Sequence, residues 1–189
     1  MVETETETPK TAEPANVDST QKEYIESIER HMALVDEYNT AAWASASDFL
    51  KTEKPGLHLL FALGRAYYAL YNTCVAAAHI LEIDLKPFQA GSRHHEAERA
   101  IPHSQLPVLV AHLMNLIHVP KKLGKRSASS EQAFETTRAL QTYRKRADYL
   151  GCERVTHRTA TECIQWAKTL VEDIWGYTRE QWSNQRAGL

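Results

Sequence analysis

The strongest constraint on the fold is a stripe of apolar and small residues in the segment between the Pro55-Gly56 pair and Pro87. Spacings that alternate between four and three residues place all its members on one face of an α helix. A face this wide must be covered by other helices, so the segment is predicted to be the central helix of a bundle. Gly64 and Ala78 are predicted to let a neighbouring helix approach closely, and Phe61, Tyr68 and Val75 widen the face. The stripe consists of Leu60, Gly64, Tyr67, Tyr71, Cys74, Ala78 and Leu81.

Weaker helical patterns flank this segment on both sides. A capping box at Thr20-x-x-Glu23 precedes apolar residues three and four apart, and Ser129-x-x-Gln132 resembles a second such box. Further helices are predicted at roughly 104–118 and from about Thr156 onward. No alternation typical of strands is present, so the fold class is all-α, an antiparallel bundle of four to five helices.

The length of 189 residues favours one domain, predicted at 20–183 with a short C-terminal tail at 184–189. Residues 1–19 are acidic and almost without apolar side chains, which predicts a disordered tail. No segment has the roughly 20 apolar residues of a membrane span. The acidic start does not resemble a signal peptide, and the three cysteines have no CxxC spacing. A cytoplasmic protein without membrane contact is expected.

A polar line runs beside the apolar stripe of the central helix, formed by Arg65, Tyr68, Asn72 and His79. Polar groups that are withdrawn from water need hydrogen-bond partners. These side chains therefore either meet polar partners on a neighbouring helix or line a cleft that faces a ligand. The pattern alone leaves both interpretations open.

Positive charge is concentrated in residues 121–158, which carry ten Lys and Arg against four Asp and Glu, a net of +6. Within this segment, residues 143–149 read YRKRADY. Cations at the C-terminal end of a helix are stabilised by the helix dipole, so a solvated helix face is one interpretation. The other is a phosphate or nucleotide contact, because guanidinium groups match phosphate oxygens and tyrosine rings stack on bases.

Other kinds of site have little support. His94, His95, Glu98 and His103 lie near one another in the sequence but complete no metal-binding motif. Neither a glycine-rich phosphate loop nor a nucleophile elbow is present. No metal and no cofactor is predicted.

The letters GRAYYALY at 64–71, His103-Ser104 in a following helix and RADY at 146–149 resemble, in order and approximate spacing, the compact HEPN proteins of bacteria and archaea. The resemblance covers roughly residues 22–176. It implies a four- or five-helix bundle, often a homodimer, that is frequently paired with a nucleotidyltransferase in toxin–antitoxin or host-defence systems. Many members are metal-independent ribonucleases in which an Arg precedes a His by four to six intervening residues.

The chain departs from that nuclease pattern, because no histidine has an arginine five to seven positions before it. The resemblance therefore implies binding of RNA or a nucleotide more directly than it implies catalysis. Two alternatives remain open. One is a metal-independent ribonuclease with a rearranged acid/base site, for which His103 or His157 with Arg146 are the candidates. The other is a non-enzymatic module that pairs with a nucleotidyltransferase. The predicted ligand-binding residues are Arg65, Tyr68, Asn72, Arg146, Asp148 and Tyr149.

Overall fold

A computed structural model describes residues 19–51, 57–89, 101–118, 129–149 and 155–187. This part of the chain contains five α helices and two 3₁₀ turns, and no β strand. The predicted all-α bundle is confirmed. The helices are α1 (Ser19–Lys51), α2 (Leu57–Ile80), α3 (Leu106–His118), α4 (Ser130–Tyr149) and α5 (His157–Ala187), and the 3₁₀ turns are Lys86–Phe88 and His103–Gln105.

The second helix, α2, is the central one, since it packs against α1, α3, α4 and α5. Leu60, Tyr67, Cys74 and Ala78 of the predicted stripe have no exposed surface. The stripe itself is thereby confirmed as the buried face. It meets apolar residues from the other helices that are also fully buried, among them Leu106, Leu109, Val110, Leu140, Ala167 and Leu170.

Two details predicted for the central helix are wrong. A Cβ at Gly64 would have no neighbouring atom within 4 Å, so this glycine does not serve a close helix approach. Phe61 does not widen the buried face, because 48% of its surface is exposed. The Phe61 ring contacts Phe49 of α1, with 5.7 Å between the ring centroids, but nearly half of its surface remains exposed.

Hydroxyl groups cap two helix starts, of which the one at Ser129 was predicted from its capping box. The Gln132 backbone N–H donates to the Ser129 hydroxyl at 3.1 Å, and the Thr159 N–H donates to the Thr156 hydroxyl at 3.1 Å. Each bond satisfies a backbone donor that the first turn of a helix leaves without a partner. At the other end, α5 continues to Ala187, so residues 184–187 belong to a helix rather than to the predicted tail. Residues 1–18, where most of the predicted disordered tail falls, lie outside the described residues.

Polar contacts attach α1 to its neighbours. The Asn39 amide donates to the Thr73 hydroxyl of α2 at 3.0 Å, and both residues are buried. The Trp175 indole N–H of α5 donates to Asp36 of α1 at 2.7 Å. Without these bonds, each buried polar group would lack a hydrogen-bond partner, which would cost about 1–3 kcal/mol of stability. A second, smaller apolar cluster fills the space between the three helices, built from Ile28, Val35, Ala76, Ile80, Trp175 and Trp182.

None of the helices in the described ranges has an apolar run long enough to cross a membrane. Cys74 and Cys163 are free thiols, the first buried and the second half-buried. Burial raises the pKa of both thiols. Both therefore remain protonated near neutral pH, as expected for cysteines that pack as small apolar residues.

Candidate functional site

Three elements bring polar side chains together on one side of α2. Helix α2 contributes three tyrosines, the 3₁₀ turn before α3 contributes His103, and α4 contributes Arg144. The elements meet because α4 packs against both α2 and α3. We refer to this group as the tyrosine–arginine cluster. Its members are Tyr67, Tyr68, Tyr71, His103 and Arg144.

His103 is held through its ring and through its backbone. The Tyr67 hydroxyl is hydrogen-bonded to Nδ1 of His103 at 2.9 Å, and the Tyr71 ring centroid lies 4.7 Å from that of His103. The buried Gln141 side chain of α4 donates to the His103 carbonyl at 2.6 Å. The Tyr71 hydroxyl donates to the carbonyl of Ile101, two residues earlier, at 2.7 Å. The imidazole is therefore positioned by two helices, which is the kind of orientation that an acid/base group requires.

The phenol of Tyr67 is the buried centre of the cluster. Burial raises its pKa well above the ordinary value for tyrosine, and the nearby Arg144 guanidinium lowers it by a smaller amount. Burial likewise raises the pKa of Tyr71, while its hydrogen bond to Ile101 acts in the opposite direction. Both phenols therefore remain protonated near neutral pH and act as neutral hydrogen-bonding groups.

Arg144 places its positive charge among the same aromatic rings. One guanidinium nitrogen donates to the Tyr68 hydroxyl at 2.8 Å. The guanidinium carbon lies 5.3 Å from the ring centroid of Tyr68 and 5.7 Å from that of Tyr67. These distances are within the range of cation–π attraction, which holds a guanidinium in a defined orientation. Tyr68, His103 and Arg144 are each half-buried, so the cluster reaches the protein surface.

Comparisons with protein-family models, with curated proteins and with solved structures give no match to this chain. Within the described ranges, no three His, Cys, Asp or Glu side chains lie close enough together to hold a metal ion. Of the candidate metal ligands, His94, His95 and Glu98 lie outside the described residues. The chemistry of the site therefore has to be inferred from the cluster itself.

The structure separates the residues of the predicted binding site. Tyr68 belongs to the cluster, and Arg146 is half-buried two residues after Arg144 on α4. Arg65 is exposed, and Asn72 faces α1, where it lines a surface groove with His31 and Tyr38. The polar line on α2 is thus divided between two surfaces.

The other predicted site residues are Asp148, Tyr149 and the two histidines, and they do not all lie at the cluster. Asp148 and Tyr149 end α4, but their side chains lie outside the described part. Of the two histidine candidates, only His103 is in the cluster. His157 begins α5, where its Nε2 is 3.1 Å from the Leu50 carbonyl at the end of α1.

Four members of the arrangement were missed by sequence reasoning. The sequence pattern places Tyr67 and Tyr71 on the apolar stripe and Arg144 within the basic segment, and it gives no signal for Gln141. A signal was present in the sequence, because a tyrosine on a buried face needs a partner for its hydroxyl. The identity of those partners depends on which helices pack together, which the local pattern does not contain.

Tyr67→Phe tests the importance of the buried hydrogen bond to His103. Removing the hydroxyl is expected to lower the free energy of unfolding by about 1–3 kcal/mol, because it removes a buried hydrogen bond and leaves the ring packing intact. Urea unfolding would measure the loss. Tyr38→Phe, at a half-buried tyrosine on α1, is the matched control and should change stability by less than about 0.5 kcal/mol. Equal stability of the Tyr67 variant and the wild-type protein would contradict a structural role for this bond.

Proposed function

We propose that the chain is a HEPN-like module that binds single-stranded RNA or a nucleotide at the tyrosine–arginine cluster. The observation that carries the proposal is the Arg144 guanidinium, which is oriented by Tyr67 and Tyr68 next to His103. The resemblance of residues 64–71 and 146–149 to HEPN proteins supports the same assignment.

The chemistry of the cluster matches a nucleotide in two respects. A guanidinium pairs with phosphate oxygens. Because aromatic rings already hold this guanidinium in one orientation, less conformational entropy is lost when it binds. The half-buried ring of Tyr68 can stack on a base, a contact worth about 1–3 kcal/mol. Arg146 and the +6 charge of residues 121–158 raise the local concentration of a polyanion.

The test is a titration of fluorescently labelled single-stranded RNA, with ATP as a competitor, at two salt concentrations. We expect affinity to fall as salt rises, with a logarithmic slope of about −0.7 for each phosphate contact. Tyr68→Ala should weaken binding by about 5-fold or more. Tyr68→Phe keeps the ring but loses the hydrogen bond to Arg144, so its affinity should lie between those of Tyr68→Ala and the wild-type protein. Arg146→Ala should also weaken binding. Affinity that is independent of salt, or unchanged in Tyr68→Ala and Arg146→Ala, would contradict the proposal.

A ribonuclease is the second candidate, supported by the contact of His103 and Arg144 with the same two tyrosine rings. A histidine can act as general acid or base toward the 2′-hydroxyl, and a nearby guanidinium can stabilise charge on the phosphate. In this candidate site, Arg144 takes the place of Arg146, which the sequence pairs with His103. Incubation with total RNA in the presence of EDTA should then give cleavage by the wild-type protein and by His112→Ala, but not by His103→Ala. Absence of cleavage, or equal cleavage by all three proteins, removes this candidate.

The biological setting is proposed from the resemblance alone. A role in a toxin–antitoxin or host-defence system, with a nucleotidyltransferase as partner, would place a small nucleotidyltransferase gene beside this one. A homodimer would give twice the monomer mass in light scattering. The cluster described above lies within one chain, so the binding test does not depend on either expectation.

A further inference from the structure

A surface groove runs between α1 and α2 and consists of two adjoining cavities, which share His31, Leu34 and Val75. Their volumes are about 430 and 240 Å³. The larger one lies within the range of about 300–1,000 Å³ that is typical of ligand pockets. We refer to the two together as the α1–α2 groove. The residues that matter for its chemistry are Arg30, His31 and Leu34 on α1 and Asn72, Val75 and His79 on α2.

The α1–α2 groove adjoins the surface on which the tyrosine–arginine cluster opens. Tyr68 of the cluster precedes Asn72 by four residues on α2, so the two side chains are neighbours on the helix surface. Val75 and His79 follow at spacings of three and four residues, which keeps them on the same face. The rise of an α helix gives a distance of roughly 16 Å from Tyr68 to His79 along the axis. An extended ligand bound at Arg144 and Tyr68 can therefore continue into the groove.

The polar lining of the groove is basic or neutral. It consists of one guanidinium, two imidazoles, an amide, a phenol and a hydroxyl, and no aspartate or glutamate of the described residues lines it. The six carboxylates of α1 lie outside the groove, and those of Glu29 and Asp36 pair with arginines of α5. Within the described ranges Arg30 pairs with no carboxylate, and its Nε donates to the backbone carbonyl of Glu26 at 3.3 Å. The groove therefore presents a positive charge that has no counter-ion from the protein.

Flat and apolar groups complete the lining. Leu34 is 63% exposed, the largest exposed fraction among the large apolar side chains of the described residues. The rings of His31 and His79 meet edge to face, with 6.4 Å between their centroids. Nucleobases stack on such rings, and an amide such as that of Asn72 can form hydrogen bonds with a base edge. The groove thus has groups that suit the base of a nucleotide and a cation that suits its phosphate.

We infer that the α1–α2 groove holds the continuation of a single-stranded RNA that has one nucleotide at the tyrosine–arginine cluster. The inference rests on the proposed function and narrows it, since the ligand is then an oligonucleotide and not a mononucleotide. Arg30 pairs with a phosphate, while Leu34 and the ring of His31 pack against bases. With bases stacked about 3.4 Å apart, a length of roughly 16 Å takes about five nucleotides, and an extended strand takes fewer.

Isothermal titration calorimetry of the full chain with AMP and with a hexa-adenylate, at constant ionic strength, tests the inference. The hexanucleotide is expected to bind at least about 10-fold more tightly than AMP, because its further phosphates and bases contact the groove. Arg144→Ala should weaken the binding of both ligands. Equal affinity for the two ligands would overturn the inference and leave nucleotide binding at the cluster intact. Absence of binding by both ligands would overturn the proposed function and the inference with it.

A charge placed in the groove separates specific contacts from the general advantage of a longer ligand. Leu34→Glu should remove most of the gain of the hexanucleotide over AMP and leave the affinity for AMP unchanged, because the new carboxylate repels the strand only in the groove. Ala33→Glu is the matched control, since it adds the same charge at an exposed neighbouring position that does not line the groove. Equal losses in these two variants would overturn the assignment to the groove.

Removal of a positive charge provides a second comparison. Arg30→Ala should weaken binding of the hexanucleotide by about 3- to 10-fold and leave the affinity for AMP unchanged. Lys22→Ala removes a positive charge from an exposed position about two turns earlier on α1 and should weaken binding by less than about 2-fold. An unchanged hexanucleotide affinity in Arg30→Ala would overturn the proposed phosphate contact.

Light scattering without RNA distinguishes RNA from a second copy of the chain as the occupant of the groove. The wild-type protein and Leu34→Glu are expected to have the same mass. A wild-type dimer that Leu34→Glu converts to a monomer would show that a second chain covers the groove, and it would overturn the inference.

Discussion

Arg144→Ala is expected to weaken the binding of single-stranded RNA by about 10- to 100-fold. The expected size is that of a charged hydrogen bond to phosphate, worth about 1.5–3 kcal/mol, with each 1.4 kcal/mol equal to a factor of ten. Arg144 is expected to dominate because its guanidinium is already oriented by the bond to Tyr68 and by two aromatic rings. Fluorescence anisotropy at low salt would measure the loss.

Two further variants test whether the orientation of Arg144, and not only its charge, is needed for RNA binding. Arg138→Ala removes the same charge from an exposed position two turns earlier on α4 and should weaken binding only slightly. Arg144→Lys retains the charge but not the planar guanidinium, so it should bind less well than the wild-type protein. If Arg138→Ala and Arg144→Ala lose the same affinity, RNA is attracted by the charge of α4 in general, and the cluster is not the site.

Leu70→Ala is expected to lower the free energy of unfolding by about 2–5 kcal/mol, the largest effect on stability predicted for this protein. Leu70 lies on the central helix with no exposed surface and belongs to the main apolar core. Its truncation removes buried methyl groups and leaves a cavity that surrounding helices fill only in part. For a protein of this size, such a loss lowers Tm by roughly 2–4 °C for each kcal/mol.

Leu34→Ala is the control, since it makes the same chemical change on α1 where 63% of the leucine is exposed. It should change stability by less than about 0.5 kcal/mol. A loss below about 1 kcal/mol for Leu70→Ala, or similar losses for the two variants, would contradict the placement of α2 at the centre of the bundle.

Prediction from sequence succeeded for the helices because the information is local. The alternation of threes and fours in the central segment requires one continuous buried face, and the fully buried Leu60, Tyr67 and Cys74 confirm it. Ser129 and Thr156 stand where a hydroxyl can accept a backbone N–H at a helix start, and both do so. Burial was less well predicted where it depends on a neighbour, as the exposed Phe61 shows.

The arrangement of the candidate site depends on contacts between residues that are distant in the chain, which local sequence patterns do not contain. Tyr68 was identified as polar on a largely apolar helix, but its partner Arg144 is 76 residues away in the chain. His103 meets Tyr67 from 36 residues away. Asn72, which shares the polar line with Tyr68, instead faces α1, because the neighbour of a helix changes along its length.

The sequence by itself determined that this chain forms helices, where most of their buried faces lie, and that positive charge is concentrated on α4 and its flanking segments. These properties follow from the spacing and type of residues within one or two helical turns. Only the tertiary structure decided that α4 packs beside the tyrosines of α2 and the turn that carries His103, since the register between distant helices depends on how all their faces fit together. That packing turns an ordinary apolar stripe and an ordinary basic segment into one candidate binding site.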